Sequence, residues 1–442
     1  MRKITVYLWR LAVLLGLVAC VAAGYWYYLR AHTTLPTYQT SAEAADVYVR
    51  FDMEAYDAIV KNYWVKPGDY AQFNIPELPD LFRLAVNKAT GGTATLATST
   101  RDATAAMLAT AFKNATSTDA ERTDALQTLS IVLYNLAPAG RDQLLSKAEE
   151  TALRQDVANV NPASDLYGNL GLQKGASNAA IQTAYQQKAA ALAHATTSAA
   201  QAEKAQLAYA YDVLSSSVGK TLYDQTGAEP SVFSHIYGST LYLEFDKISP
   251  TTLQEFAYAV DAASTTPLSG LILDMRGNVG GDLAFAQAFL GLWLGGNQYA
   301  FDLYAQGNTE PERTTQAQFS ELSRFTDVAV LTDDQTQSTA ELTTASLKRF
   351  KLATVVGTKT RGWGSVENTY PLSTVIDPKA SYALLLVNHL TLRDDELPIE
   401  QNGVVPNVDT TTSGWQKELP QYFHSAAFIK TLEERLAAPP VK

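Results

Sequence analysis

Three stretches in the second half of the chain combine residue types that could do chemistry. Leu271-Ile272-Leu273-Asp274-Met275 reads as a buried strand and runs into Arg276-Gly277-Asn278-Val279-Gly280-Gly281. Glycines there let backbone N–H groups approach a reacting carbonyl oxygen, and a helix starting behind them adds a favourable dipole. A phosphate loop has the same texture, but no Lys-Ser/Thr pair closes this one. Val330-Leu331-Thr332 leads through Asp333-Asp334-Gln335-Thr336-Gln337 to Ser338-Thr339-Ala340-Glu341, which places Ser338 at a helix start with the Thr339 N–H beside it. Such a serine is ordinarily an N-cap, and Glu341, three residues on, completes a capping box. The third stretch is Val356-Gly357-Thr358-Lys359-Thr360-Arg361-Gly362-Trp363-Gly364-Ser365-Val366-Glu367, a strand followed by a glycine-flanked loop.

In this order, and closed by Gly403-Val404-Val405-Pro406-Asn407, the stretches resemble the C-terminal processing (tail-specific) serine peptidases over about 170 residues. The resemblance implies an α/β core with a ClpP/crotonase-like β/α sheet. It puts the nucleophile at Ser338 and the oxyanion donors at Thr339 and one of Gly280 and Gly281. The family's general base is a lysine between two glycines, and that position holds Trp363; Glu367 stands where the family has glutamine.

Serine is a weak nucleophile unless a neighbouring base takes its proton. A lysine can be that base when burial lowers its pKa, whereas an indole has no basic lone pair. Lys359 and His389 are the candidate substitutes. The implied function is a serine peptidase acting on protein C-terminal tails through Ser338, impaired at the base; the alternative is an inactive pseudoprotease that binds tails as a scaffold or adaptor.

The elements that must position these loops alternate between strand and helix from Gly238 on. Strands are predicted at Thr240–Phe245, Leu271–Met275, Val328–Thr332, Thr354–Gly357 and Tyr382–Asn388, and helices at Leu253–Ala263, Leu283–Leu292 and Ala340–Phe350, so a mostly parallel sheet follows. The expected domains are an anchor (1–30), an all-α N-terminal region (42–160), a helical insert (165–227), the peptidase-like core (236–412) and a helical tail (413–442). The insert, with Asp165-Leu166-Tyr167 at its start and Leu222-Tyr223-Asp224 near its end, resembles a degenerate DnaJ-type J-domain. Its working loop reads His194-Ala195-Thr196 in place of His-Pro-Asp, so no DnaK-type chaperone is expected as a partner. The insert stands where this peptidase family usually has a PDZ domain, which suggests docking or gating; a rigid spacer is the alternative.

Leu11 to Leu29 contains no charge, and Arg2, Lys3 and Arg10 precede it. This predicts one transmembrane helix with the N-terminus in the cytoplasm and the bulk outside the cytoplasm. Lipidation at Cys20 and a cleaved signal peptide are the alternatives. The 45 acidic and 34 basic residues (net −11) argue against nucleic acid. One cysteine and five scattered histidines give no metal-ligand spacing, so neither metal nor cofactor is expected.

Overall fold

In the computed structural model, the described residues are 40–440, without 114, 116 and 394. The expected anchor and Cys20 lie outside them, and no helix among the described residues is long and apolar enough to cross a membrane. The chain divides into two units.

Residues 40–61, 74–132 and 372–379 make up the first unit. Its helices are α1 (Ser41–Ala45), most of α2 (Val47–Asn62), α3 (Leu78–Thr90), α4 (Arg101–Phe112) and most of α5 (Thr118–Tyr134). Apolar residues every three or four positions bury one face of α2, α3 and α4, as Phe51, Ile59, Phe82 and Leu108 show. The Arg101 guanidinium ties the unit together, bridging Glu43 at 2.8 Å and Asp57 at 2.7 Å.

The second unit carries the three loops. One sheet runs β11 (Val408–Asp409), β8 (Thr354–Gly357), β7 (Asp327–Thr332), β4 (Gly270–Asp274), β3 (Thr240–Phe245), β2 (Val232–Tyr237). All its pairings are parallel except β2–β3. Crossovers include α11 (Thr252–Ala262), α12 (Ala284–Leu294) and α13 (Thr339–Arg349). Every residue of β3 and β4 is buried, so their apolar residues run on with little alternation, broken by Glu244 and closed by Asp274. Helix α13 is buried along 339–347, including Thr343, Thr344 and Ser346; Thr343 satisfies its hydroxyl on the Thr339 carbonyl at 2.7 Å. The central strand β7 has β4 and β8 as neighbours, so the loops after all three open side by side at their carboxyl ends.

A second, antiparallel sheet was not foreseen from the sequence. It joins β1 (Gln143–Ser146), β10 (Tyr382–Thr391), β5 (Tyr299–Ala305) and β6 (Asn308–Arg313), with β9 (Ser365–Pro371) also on β10. Strand β1 interrupts the stretch expected to be all helical over 42–160; its edge hydrogen bonds are satisfied by β10, some 240 residues on, a pairing no local pattern announces.

Helix α6 (Lys147–Val157) follows β1. Over 165–227, where the J-like insert is expected, four helices form: α7 (Leu166–Leu170), α8 (Asn178–Leu192), α9 (Ser198–Ser215) and α10 (Ser217–Thr226). They share a core of Leu166, Leu170, Ile181, Leu207 and Leu214. At the loop holding His194, Lys204 Nζ reaches the carbonyls of Ala193 (3.3 Å) and Ala195 (2.9 Å), and so satisfies groups the end of α8 leaves open. The tail forms α14 (Ala426–Ala437), which packs on the parallel sheet through Phe428 and Leu432.

Candidate active site

Ser338 sits between β7 and α13 with φ 56° and ψ −128°, outside the regions ordinarily open to a residue with a side chain. Such a conformation costs about 1–3 kcal/mol and persists only when its surroundings impose it. Four hydrogen bonds do so. The Ser338 N–H donates to the Trp363 carbonyl at 3.1 Å and to Glu341 Oε2 at 3.0 Å. Its carbonyl accepts from Glu341 N–H at 2.8 Å and Leu342 N–H at 3.1 Å.

The glycine loop presses against this turn. A Cβ on Gly280 would lie 2.6 Å from Ser338 Cβ and 2.9 Å from Thr339 N, an approach only glycine allows. The Gly280 N–H, expected as a candidate oxyanion donor, is engaged instead: it donates to Asn278 Oδ1 at 2.8 Å. Asn278 is fully buried and anchored through Nδ2 to the Phe245 carbonyl, so its oxygen is fixed on that amide. The N–H groups of Gly281 and Thr339 make no hydrogen bond among the described residues, and the Thr339 hydroxyl donates to the Gly281 carbonyl at 2.9 Å. Those two amides are the donors this geometry leaves open for a developing oxyanion.

Glu341 does more than pair with the serine amide. Fully buried, it accepts from the Thr360 hydroxyl, from Gly362 N–H at 2.7 Å and from Trp363 N–H at 2.8 Å, besides Ser338 N–H. One carboxylate therefore fastens the third loop to the serine turn. Burial pushes its pKa up, and the hydrogen bonds it accepts oppose that.

Trp363 is half-buried in the seat expected for the base. The Arg141 guanidinium lies over its ring, 3.3 Å from the centroid. Arg141 also donates to Ser365 Oγ at 3.0 Å and to Glu400 Oε1 at 2.9 Å, while Glu400 Oε2 accepts Gly364 N–H at 2.8 Å. Ser365 in turn donates to Glu367 at 2.6 Å, and the neighbouring Trp363 side chain favours the charged form of Glu367. An indole offers only a donor, so the carboxylate at 367 suits it. Burial raises the pKa of both Glu367 and Glu400 and lowers that of Arg141.

Neither substitute base is brought to Ser338. Lys359 is exposed beyond the end of β8. His389 pairs in register with Val366, and Leu390 with Ser365, so His389 takes the face of β10 opposite the one Ser365 and Arg141 share. Its Nε2 is 3.5 Å from Glu310 Oε2, and burial lowers its pKa. Arg141 and Glu400 were not legible in the sequence: each lies in an irregular segment with no motif, and only the fold carries them to Trp363. No cluster of His, Cys, Asp or Glu among the described residues could hold a metal ion.

Beside Arg141, Asp142 is buried; Oδ1 accepts the Val387 N–H at 2.7 Å and Oδ2 has no partner among the described residues. Burial pushes its carboxyl up to about 8. The folded chain thus holds this proton more tightly than the unfolded chain, where aspartate titrates at about 4. The resulting stability is complete below that pH and is lost as pH rises toward about 8. Asp142→Asn keeps the acceptor for Val387 and develops no charge. Between about pH 5 and pH 8.5 it is expected to gain roughly 2–4 kcal/mol on the parent chain, read from urea midpoints at the two pH values.

Residues 239–410 match the model of peptidase family S41. The carboxyl-terminal-processing protease of Synechocystis sp. is 29% identical over 132 residues, 30% of this chain and 30% of that protein. A probable CtpA-like serine protease of Staphylococcus aureus is 26% identical over 179 residues, 40% of this chain and 35% of that one. The chain spans about a third of the length of these curated relatives. Among solved structures, the photosystem II D1 C-terminal processing protease aligns over 84% of this chain and 93% of its own, with 14% identity and a TM-score of 0.46. Over residues 239–410 the chain is similar to peptidase family S41 and to C-terminal processing proteases.

Proposed function

We propose that the chain is a serine peptidase of the C-terminal processing type that acts on protein tails through Ser338, with turnover held low by Trp363. The observation carrying this reading is the strained Ser338 turn with two open amides, Gly281 and Thr339, beside it. In the proposed reaction Ser338 Oγ attacks the scissile carbonyl and those amides receive the oxyanion. Among the described residues neither Lys359 nor His389 reaches Ser338, so the hydroxyl proton passes to solvent, which slows the step by orders of magnitude. A second reading, a pseudoprotease that binds tails without cutting them, is favoured by the Arg141–Trp363 stack, which closes the base seat with a group that stays protonated. The N-terminal anchor, an extracytoplasmic location and a docking role for 165–227 belong to the same proposal and rest on the sequence patterns.

The deciding measurement is hydrolysis of an unstructured protein by the parent chain and by Ser338→Ala. Slow cleavage that Ser338→Ala abolishes supports the peptidase. Binding of the same substrate with no cleavage by either chain favours the pseudoprotease, and cleavage unchanged by the substitution removes Ser338 from the mechanism.

A further inference from the structure

Arg276 opens the glycine loop, yet its guanidinium engages a distant element. Nε and Nη2 hold Asp274, the latter at 2.6 Å, and Asp274 also accepts the Tyr242 hydroxyl at 2.6 Å. The remaining donors reach the last turn of α14: Nη2 to the Arg435 carbonyl at 3.1 Å, and Nη1 to the carbonyls of Ala438 at 3.0 Å and Leu436 at 3.5 Å. The carbonyls of a helix's last turn lack intrahelical partners, and a cation there also meets the negative end of the helix dipole. The Arg276 side chain is 11% exposed and Asp274 is fully buried, so solvent competes little with this clamp.

The far end of α14 is fixed as closely. Phe428 is 1% exposed, and a Cβ on Gly270 would lie 2.4 Å from its ring. Helix α14 therefore follows β4 from its first residue to the loop beyond its last. Arg435 adds a lateral tie, stacking 4.5 Å from the Tyr237 ring and donating to its hydroxyl at 3.1 Å. On the loop side, Gly277 N–H is held by Asp333 at 2.9 Å and Asn278 accepts Gln337 N–H through its carbonyl at 2.9 Å. The clamp on α14 is thus continuous with the peptide groups that press on Ser338.

We propose that Arg276 is a positioning residue that couples the docking of α14 to the placement of the glycine-loop amides beside Ser338. The functional meaning of that placement rests on the oxyanion reading above; the coupling itself does not. A guanidinium fork is required because three carbonyls and a carboxylate are gripped at once, which an ammonium cannot reproduce.

Amide hydrogen exchange on the full chain tests the coupling, comparing the parent with Arg276→Lys and Phe428→Leu. The second variant loosens α14 at the Gly270 end and leaves the loop chemically untouched. Arg276→Lys is expected to speed exchange about tenfold both in 277–282 and in the last turn of α14, with 271–273 unchanged. Phe428→Leu is expected to speed exchange in 277–282 as well. Acceleration in only one of the two segments with Arg276→Lys, or no change in 277–282 with Phe428→Leu, overturns the proposal. A peptide boronic acid, which adds to a serine hydroxyl and releases a proton to solvent, supplies a readout of the site itself. Its affinity is expected to fall about fivefold in Arg276→Lys, while that of the matching peptide amide stays constant. A parent chain that shows the exchange coupling but does not bind the boronate defeats the oxyanion reading and leaves the coupling standing.

Discussion

Lysine at position 363 is expected to raise the rate of peptide-bond hydrolysis by about 10²- to 10⁴-fold over the parent chain, the range a positioned general base contributes. The backbone needed for this is present. The Trp363 carbonyl already meets the Ser338 amide at 3.1 Å, and glycines on both sides let the loop lie close: a Cβ on Gly364 would be 2.3 Å from Glu400 N. The charges around the seat decide how much of the gain appears. Arg141 would push a new ammonium toward its neutral, basic form, whereas Glu367 and Glu400 would hold it charged. Trp363→Lys combined with Glu367→Gln should therefore exceed Trp363→Lys alone and shift the rising limb of the pH–rate profile to lower pH. Trp363→Met, which opens the seat without adding a base, should leave the rate near that of the parent. An equal rise in the Met variant would show that bulk, rather than a missing proton acceptor, limits the parent. Two lysine variants that bind substrate but stay at the parent rate would remove Ser338 as a competent nucleophile.

Glu341→Ala is expected to destabilise the chain by about 3–5 kcal/mol, because four donors lose a buried acceptor together. Those donors are the Thr360 hydroxyl and the N–H groups of Gly362, Trp363 and Ser338. With the carboxylate gone, the Gly362 and Trp363 amides lose their tie to the serine turn, and the positive φ of Ser338 loses one of its restraints. The denaturation midpoint reads the first effect. Exchange at Gly362 and Trp363, measured well below the transition, reads the second. A loss under about 1 kcal/mol would mean that water or the backbone replaces the carboxylate, and the assigned role would be wrong.

Local pattern carried much of the core. Strands β3 and β8 fall on the predicted residues, and the helices after β3, β4 and β7 lie within two residues of expectation, because each depends on an apolar period that neighbouring residues spell out. The capping box at Ser338 and Glu341 was equally visible, but half of its meaning was hidden. The same carboxylate serves as cap and as clamp on Gly362 and Trp363, and the second role depends on a loop twenty residues away. Of the two glycines offered as oxyanion donors, only the fold distinguishes them: Asn278 takes the Gly280 amide, and Gly281 is left open.

His389 and Lys359 show the opposite limit. Both are basic and both lie near the right strands in sequence, so composition alone admits them. Strand register places one on the far face beside Glu310, and solvent exposure separates the other from the buried network. Arg141 had no sequence signal at all, yet it covers the indole and pairs with Glu400.

By itself, the sequence determined the order of three loops on a β/α framework, a serine at a helix start and an indole where a base is expected. These are properties of residue type, spacing and period, which short-range physics sets. Tertiary structure decided which groups face one another across the parallel strands: the amides open at Gly281 and Thr339, the Glu341 clamp, and the Arg141–Trp363 stack that fills the base seat. Each depends on segments far apart in the chain meeting in a buried volume, where register and packing, rather than local propensity, choose the partner.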